Sequence, residues 1–187
     1  PFKTIPFDQI KVEHYMPAIE EGIKQGLAEV EAIVNNPSAA DFSNTIEALE
    51  KVGPLLELVS MTFSNLNLAE TSKEMQAVAK EMSPKLSDYS NDIMLNVALF
   101  KRVEAVYNNK QALSLTPEQN TLLDKTYKSF VRNGSKLNDE QKEKLRTIDK
   151  DKSQLTLTYN ENVLAESNAF ELVITNESDL AGLPEGT

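Results

Sequence analysis

The sequence predicts an all-α protein, an antiparallel bundle of about six helices with one short strand near the C-terminus. Apolar residues recur every three or four positions over most of the 187 residues, which is the period of an amphipathic helix. The chain has only 6 glycines and 8 prolines, so long helices are possible. Ser, Thr or Asn precedes several of the periodic segments, where it can cap a helix N-terminus.

The first predicted helix covers residues 13–36. Its apolar residues fall near one face of a helix with a 3.6-residue period, and they are Met16, Ile19, Ile23, Val30 and Ile33. Gly22 and Gly26 lie one turn apart on that side, which predicts the close approach of another helix. An Asn-Asn-Pro sequence at 35–37 ends the segment.

The second predicted helix begins at an Asn44 N-cap, with Glu47 completing a capping box, and continues to about Ala69. Its apolar seam consists of Leu49, Val52, Leu56, Val59, Phe63 and Leu66. Pro54 lies inside this seam, where it removes one backbone hydrogen bond and crowds the preceding turn. Because the seam continues on both sides of the proline, we predict one bent helix and not two separate helices.

The third predicted helix begins at a capping box formed by Thr71 and Glu74, and Pro84 interrupts it. Its stripe consists of Met75, Val78, Met82, Leu86, Tyr89 and Ile93. The two methionines of this stripe are predicted to be core residues. Asn96 caps a shorter fourth helix, whose apolar residues are Val97, Phe100, Val103 and Tyr107.

The fifth predicted helix has a strong start signal, in which Thr116 is the cap, Pro117 takes the first helical position and Gln119 reaches back to the cap. Its apolar face consists of Leu122, Leu123, Tyr127 and Phe130. An Asn-Gly pair at 133–134 supplies the stop signal.

The sixth predicted helix begins at Asn138 and ends near Glu166. Its apolar stripe consists of Leu145, Ile148, Leu155, Tyr159 and Val163. Lys152 falls on the same face and would have to extend outward to water or find a carboxylate. After this helix, alternating apolar residues over 169–175 predict a single strand, which would need a hydrogen-bonding partner elsewhere.

The composition excludes several functions. A formal net charge of -10 disfavours nucleic-acid partners and anionic membrane surfaces, because both repel an acidic chain. The absence of cysteine excludes disulfides and thiolate chemistry. No apolar run approaches the roughly 20 residues of a membrane span. Since the chain starts at Pro1, we expect either a removed leader or an excised piece of a longer protein, and the compartment stays open between cytoplasm and periplasm.

The candidate catalytic residues are few. His14 is the single histidine, and its place at the start of the first helix indicates a surface or capping residue. A His-Glu-x-x-His zinc helix needs two histidines, as does a di-iron helical bundle. The acidic pairs Glu20–Glu21 and Glu29–Glu31 are typical of a solvated helix face. We therefore assign no catalytic, cofactor-binding or metal-binding residue to this chain.

The stretch FSNTIEALEKVGPLL resembles the N-terminal signature of the thimet oligopeptidase and peptidyl-dipeptidase family. The residues that carry the resemblance are Phe42, Asn44, Thr45, Ile46, Leu49, Glu50 and Gly53. Further blocks are similar in order and spacing, namely FDQIKVEHYMPAIEEGI, SPKLSDYSNDIMLNVALFKRVEAVY, and SFVRNGSKLNDEQKEKLRTID followed by YNENVLAESNAFELVIT. The resemblance thus covers essentially the whole chain and is strongest to the bacterial peptidyl-dipeptidase and oligopeptidase A branch.

The resemblance implies an N-terminal helical domain, residues 1–187, truncated from a single-chain zinc metallopeptidase that hydrolyses short peptides. Members of this family enclose a deep channel between two mostly helical halves, and their His-Glu-x-x-His motif lies toward the C-terminus. It implies that these helices form a channel wall or lid and are inactive alone. Zinc would belong to the parent enzyme, with no cofactor in this chain.

The implied partners are the remainder of the parent chain and, as substrates of the parent, short peptides. An exposed apolar patch is expected where that remainder docks, because such patches mark interaction surfaces. The alternative is a free-standing helical protein-interaction module, for which amphipathic stripes alone would suffice.

Overall fold

The computed structural model describes residues 4–182 and residue 184, and this part of the chain is all-α, which confirms the predicted fold class. Its six α-helices are α1 (Tyr15–Val34), α2 (Pro54–Ala69), α3 (Lys73–Met94), α4 (Val97–Asn108), α5 (Pro117–Arg132) and α6 (Asp139–Ala169). A π-helical segment covers Phe42–Glu47, and 3₁₀ turns cover Val12–His14, Lys110–Ala112 and Glu177–Leu180. No described helix is long and apolar enough to cross a membrane.

The two glycines of α1 allow close helix contacts, as predicted. A Cβ atom at Gly22 would lie 2.9 Å from the Cα of Leu56 on α2. One at Gly26 would collide with the hydroxyl of Tyr89 on α3. Burial raises the pKa of that tyrosine, and nearby Glu29 raises it further. Helix α1 therefore lies between α2 and α3, with a glycine at each contact.

The prediction of one bent helix around Pro54 is wrong, because the chain forms two separate helical segments. Asp41, and not Asn44, caps the first segment: its carboxylate accepts a hydrogen bond from the Asn44 N–H at 2.7 Å. Gly53 then adopts a left-handed conformation with φ of 74°, and Pro54 is the first residue of α2. A proline at this position loses no helical hydrogen bond, whereas one inside a helix costs about 3 kcal/mol.

The start and the continuity of α3 also differ from the prediction. Ser72, and not Thr71, is the N-cap, and its hydroxyl accepts a hydrogen bond from the Met75 N–H at 3.2 Å. Pro84 lies inside α3 without interrupting it. Because tertiary packing supplies most of a helix's stability in a protein, contacts with α1 and α6 can sustain the helix across one missing hydrogen bond.

The remaining predicted caps are confirmed. Asn96, Thr116 and Asn138 each accept a hydrogen bond from the N–H three residues later, and they begin α4, α5 and α6. Helix α6 has 31 residues and continues past the predicted end at Glu166. These short-range signals act within one turn of the chain, which is why they can be predicted from the sequence.

The predicted strand over 169–175 is wrong. Ala169 is the last residue of α6, and residues 170–176 have no regular secondary structure. A strand needs a neighbour to satisfy its backbone groups, and no part of the described chain pairs with this segment. Its apolar side chains are exposed instead, among them Phe170, Leu172 and Val173.

The core consists of two clusters of buried side chains. One joins the C-terminal half of α1 to the π-helical segment, α4 and α5, and it is formed by Val30, Ile33, Phe42, Ile46, Leu99, Phe100, Val103, Val106, Leu123 and Phe130. The other joins the N-terminal half of α1 to α2 and α3, and it is formed by Tyr15, Ile19, Leu56, Phe63, Met75, Ala79 and Met82. The second cluster confirms that Met75 and Met82 are core residues. No α6 residue is a buried member of either cluster.

Candidate functional surface on helix α6

The residues that the sequence singles out for possible chemistry lie apart from one another. His14 is half-exposed, and its Nδ1 accepts a hydrogen bond from the Lys11 N–H at 3.2 Å. Glu20 pairs with Lys85 on α3 at 2.8 Å. Glu21 accepts a hydrogen bond from Gln25, which, with the nearby charge of Lys24, lowers the pKa of the glutamate. These contacts cap or brace helices and bring no catalytic pair together.

Glu29 has a structural role that the sequence analysis missed. Its Oε2 accepts a hydrogen bond from the Gly53 N–H at 2.7 Å, which connects α1 to the start of α2. The carboxylate is half-buried, although its position beside Glu31 is typical of a solvated face. Because the partner lies 24 residues along the chain, no local sequence pattern indicates this contact.

Helix α6 packs against α3 through a mostly polar face. Its buried and half-buried residues are Lys142, Leu145, Arg146, Asp149, Ser153, Leu157 and Glu161. Only two of these seven are apolar. Lys142 is buried, and its Nζ donates a hydrogen bond to the carbonyl oxygen of Leu95 at 3.2 Å. Since Leu95 is the C-cap of α3, this cation also interacts favourably with the dipole of that helix.

Ion pairs hold α6 against α3 in an antiparallel arrangement. Arg146 lies 2.8 Å from Asp92, near the C-terminal end of α3. Glu161 lies 2.9 Å from Lys80, which is closer to the start of α3. The two helices therefore run in opposite directions. The polar face of α6 points toward α3 from Arg146 to Glu161.

A polar cleft of about 410 Å³ lies between these two helices. Its walls are formed mainly by Ser83, Ser87, Ser90 and Asn91 of α3 and by Asp149, Lys152, Ser153 and Thr156 of α6. Asn91 is 5% exposed, and its Nδ2 has no hydrogen-bond partner among the described residues. Hydroxyl and amide walls can bind water or another polar group, so the contact between α3 and α6 is not sealed by apolar packing.

The apolar stripe of α6 faces away from the rest of the protein. Ile148, Leu155 and Tyr159 are 60%, 69% and 68% exposed, and Val163 is 47% exposed. We call these four residues the outer stripe. Because successive helical residues are about 100° apart, the first three fall within an arc of roughly 40°, on the side opposite Leu157. Apolar periodicity alone predicts that such a stripe faces the core, and the structure shows the reverse.

Leu145 is the exception within the predicted stripe. It is half-buried and lies beside Gly134, where a Cβ atom would approach its Cδ2 to 2.6 Å. Lys152 lies at the border between the outer stripe and the polar cleft, whose wall it helps to form, and it has no hydrogen-bond or ion-pair partner in the described part of the chain. No signal in the sequence indicates the orientation of α6, because charged residues occur on every side of the helix, as the four consecutive charged residues 149–152 illustrate.

The exposed apolar surface continues beyond the end of α6. Phe170, Leu172 and Val173 are each about three-quarters exposed, and Ile174 is 41% exposed. This segment follows directly from the last residue of the helix. Large apolar residues clustered on a surface mark a site of interaction with protein or membrane. The exposed face of α6 and the segment after it therefore form the candidate functional surface.

Comparison with known proteins relates nearly the whole chain to peptidases. It is 40% identical over 183 residues to the dipeptidyl carboxypeptidase of Salmonella typhimurium, a match that covers 98% of this chain and 27% of that protein. It is 38% identical over 185 residues to the dipeptidyl carboxypeptidase of Escherichia coli, with 99% and 27% covered. Identity to oligopeptidase A of Escherichia coli is 26% over 185 residues, with the same coverage. No family model matches the chain.

The chain thus spans about a quarter of the length of the curated relatives it matches. Nearly the whole chain is therefore similar in sequence to about a quarter of the length of the dipeptidyl carboxypeptidases and of oligopeptidase A.

Proposed function

We propose that this chain is the non-catalytic N-terminal helical domain of a zinc-dependent oligopeptidase or peptidyl-dipeptidase that hydrolyses short peptides. The observation that carries the proposal is the alignment of 98–99% of the chain with 27% of two dipeptidyl carboxypeptidases. The catalytic residues would then lie in a part of the parent protein that this chain does not contain.

Zinc binding is assigned to the rest of the parent protein. Protein zinc sites use three or four side-chain ligands, mainly from Cys, His, Asp and Glu. The described residues contain no group of three such side chains that could hold a metal ion, and the chain has a single histidine. The residues present therefore do not fit a zinc site, and no step of a hydrolytic reaction is assigned to them.

The role proposed for the helices is steric. They would form part of the wall or lid of an enclosed channel, which admits short unfolded peptides and excludes folded proteins. Capped helices around two buried clusters suit such a wall, because they present a fixed surface. The proposed partners are the remainder of the parent chain and its peptide substrates, in the cytoplasm or periplasm of a bacterium.

Two proteins test this proposal. The first is the isolated chain, which should contain no stoichiometric zinc and should not cleave a short peptide. The second is a chimera in which this chain replaces the matched region of the Salmonella dipeptidyl carboxypeptidase; it should bind zinc and cleave the peptide. Zinc bound to the isolated chain in a 1:1 ratio would overturn the assignment of roles.

A free-standing helical interaction module is the second candidate function, and the outer stripe is the observation that favours it. The two candidates differ in what the gene encodes after Thr187. A His-Glu-x-x-His motif downstream would identify a peptidase, whereas a stop codon directly after Thr187 would identify the module.

A further inference from the structure

The outer stripe has the properties of an interface that lacks its partner. Ile148, Leu155 and Tyr159 are each at least 60% exposed, although they lie on a single face of one long helix. The opposite face of α6 is already in use, with Lys142 buried and Glu161 paired with Lys80. Rotation of the helix to bury the stripe would therefore expose the groups that now hold α6 in place.

Lys152 adds a chemical requirement to this surface. Lys152 lies between Ile148 and Leu155 in the sequence, at the border between the outer stripe and the polar cleft, and its ammonium group has no hydrogen-bond or ion-pair partner among the described residues. A partner surface that covers the outer stripe would either enclose the Lys152 ammonium group or have its own edge beside it. A charge removed from water needs an opposite charge or hydrogen-bond acceptors. The complementary surface should therefore be apolar and carry a carboxylate opposite Lys152.

We propose that the remainder of the parent chain covers the outer stripe, with an apolar surface that places a carboxylate against Lys152. This inference rests on the proposed function. The length of the relatives supports it, because the aligned region is only 27% of each dipeptidyl carboxypeptidase. It is also supported by continuity, since the exposed segment that contains Phe170 and Leu172 leads directly from α6 toward the end of the chain.

A second copy of this chain fits the surface less well. Each chain carries a formal net charge of -10, which opposes self-association. A two-fold dimer brings the same patch of both copies together. Two apposed stripes would thus place the two Lys152 ammonium groups near each other with no carboxylate of the stripe to pair them.

Cysteine labelling can test the inference in the isolated chain and in the chimera defined above. The native chain has no cysteine, so Leu155→Cys introduces a single thiol into it. Labelling of any other thiol in the chimera is measured with the chimera that lacks Leu155→Cys, and it is subtracted. We expect the thiol to react with a soluble maleimide at least ten times more slowly in the chimera than in the isolated chain. Lys24→Cys on α1, at a site whose side chain is 78% exposed, is the control for general loss of reactivity.

A second pair of variants tests the interface without labelling. Leu155→Asp and Leu68→Asp each replace a well-exposed leucine, with exposures of 69% and 85%, so neither should change the thermal midpoint of the isolated chain. In the chimera, Leu155→Asp should lower the thermal midpoint and Leu68→Asp should lower it less. Lys152→Glu should also lower it, because the added charge would meet the expected carboxylate.

The outcomes separate this inference from the proposed function. A chimera that cleaves peptides while its Leu155→Cys variant is labelled as fast as the same variant of the isolated chain would overturn the docking surface and leave the proposed function standing. Slow labelling in an inactive chimera would support the docking surface and contradict the proposed function. A stable dimer of the isolated chain that Leu155→Asp dissociates would show that a second copy is the occupant, and it would overturn the inference.

Discussion

The ammonium nitrogen of Lys80 on α3 lies 2.9 Å from a carboxylate oxygen of Glu161 on α6. Glu161 follows Tyr159 by two residues, which turns it about 200° away from the outer stripe. Its side chain is only 20% exposed, so the pair is partly shielded from water. This contact therefore helps to fix which face of α6 meets α3 and which face remains open.

Removal of the Lys80 charge should loosen the distal half of α6. We expect Lys80→Met to speed amide hydrogen exchange there, while the free energy of global unfolding falls by about 1 kcal/mol or less. The matched control is Lys144→Met, whose pair with Glu140 is well exposed and lies within α6. Unchanged exchange in the Lys80 variant would show that the ion pair does not hold the helix.

A methyl group at Gly26 should destabilise the contact between α1 and α3. Gly26→Ala gains about 1 kcal/mol of helix propensity but places a Cβ atom against the Tyr89 hydroxyl, and such overpacking costs about 1–3 kcal/mol. Tyr89→Phe removes the obstructing oxygen. The two substitutions should therefore be less destabilising together than the sum of their separate effects, as measured by urea unfolding. Additive effects would contradict the proposed collision.

Glu29 should contribute more to stability than its neighbour Glu31. Because Glu29 accepts a hydrogen bond from the Gly53 N–H, its replacement by alanine should lower the free energy of unfolding by about 1.5–3 kcal/mol. Glu29→Gln keeps an acceptor oxygen and should lose less. Glu31→Ala at an exposed site is the matched control, with an expected change within about 0.5 kcal/mol. Equal losses of unfolding free energy in Glu29→Ala and Glu31→Ala would show that the hydrogen bond to the Gly53 N–H does not stabilise the protein.

Asp124 should titrate below the ordinary aspartate range. A hydrogen bond from Lys110 and the charge of that residue lower the pKa of the Asp124 carboxyl, with a smaller effect from Lys128. Because this pKa is lower in the folded state, the pair stabilises the protein above the unfolded-state pKa, and this contribution is lost as pH falls through the folded-state pKa. NMR titration should show the pKa rising in Lys110→Met and rising less in Lys128→Met. No rise in the first variant would contradict this assignment.

Local signals explain why most helix starts could be predicted from the sequence. Asn96, Thr116 and Asn138 each contact an N–H only three residues away. Pro54 shows the limit of such reasoning, because a proline fits the first turn of a helix as well as a kink inside one. The left-handed conformation of Gly53 distinguishes these cases, and the Gly53 N–H donates a hydrogen bond to Glu29, a contact between residues 24 positions apart.

The orientation of α6 could not be predicted from its periodicity. An apolar stripe shows which residues share a face, but it does not show whether that face meets this chain or another. Periodicity predicts that Ile148, Leu155 and Tyr159 share a face, and they do, yet the ion pairs with α3 turn that face outward. The segment after Ala169 has the same ambiguity, because alternating apolar residues form a strand only where a partner is present.

Peptide cleavage by the chimera tests the central claim most directly. We predict that the Salmonella dipeptidyl carboxypeptidase whose matched region is replaced by this chain cleaves a short peptide, and that the isolated chain does not. Cleavage by the isolated chain, or a folded, zinc-loaded chimera without activity, would contradict the claim that these helices are the non-catalytic part of a peptidase.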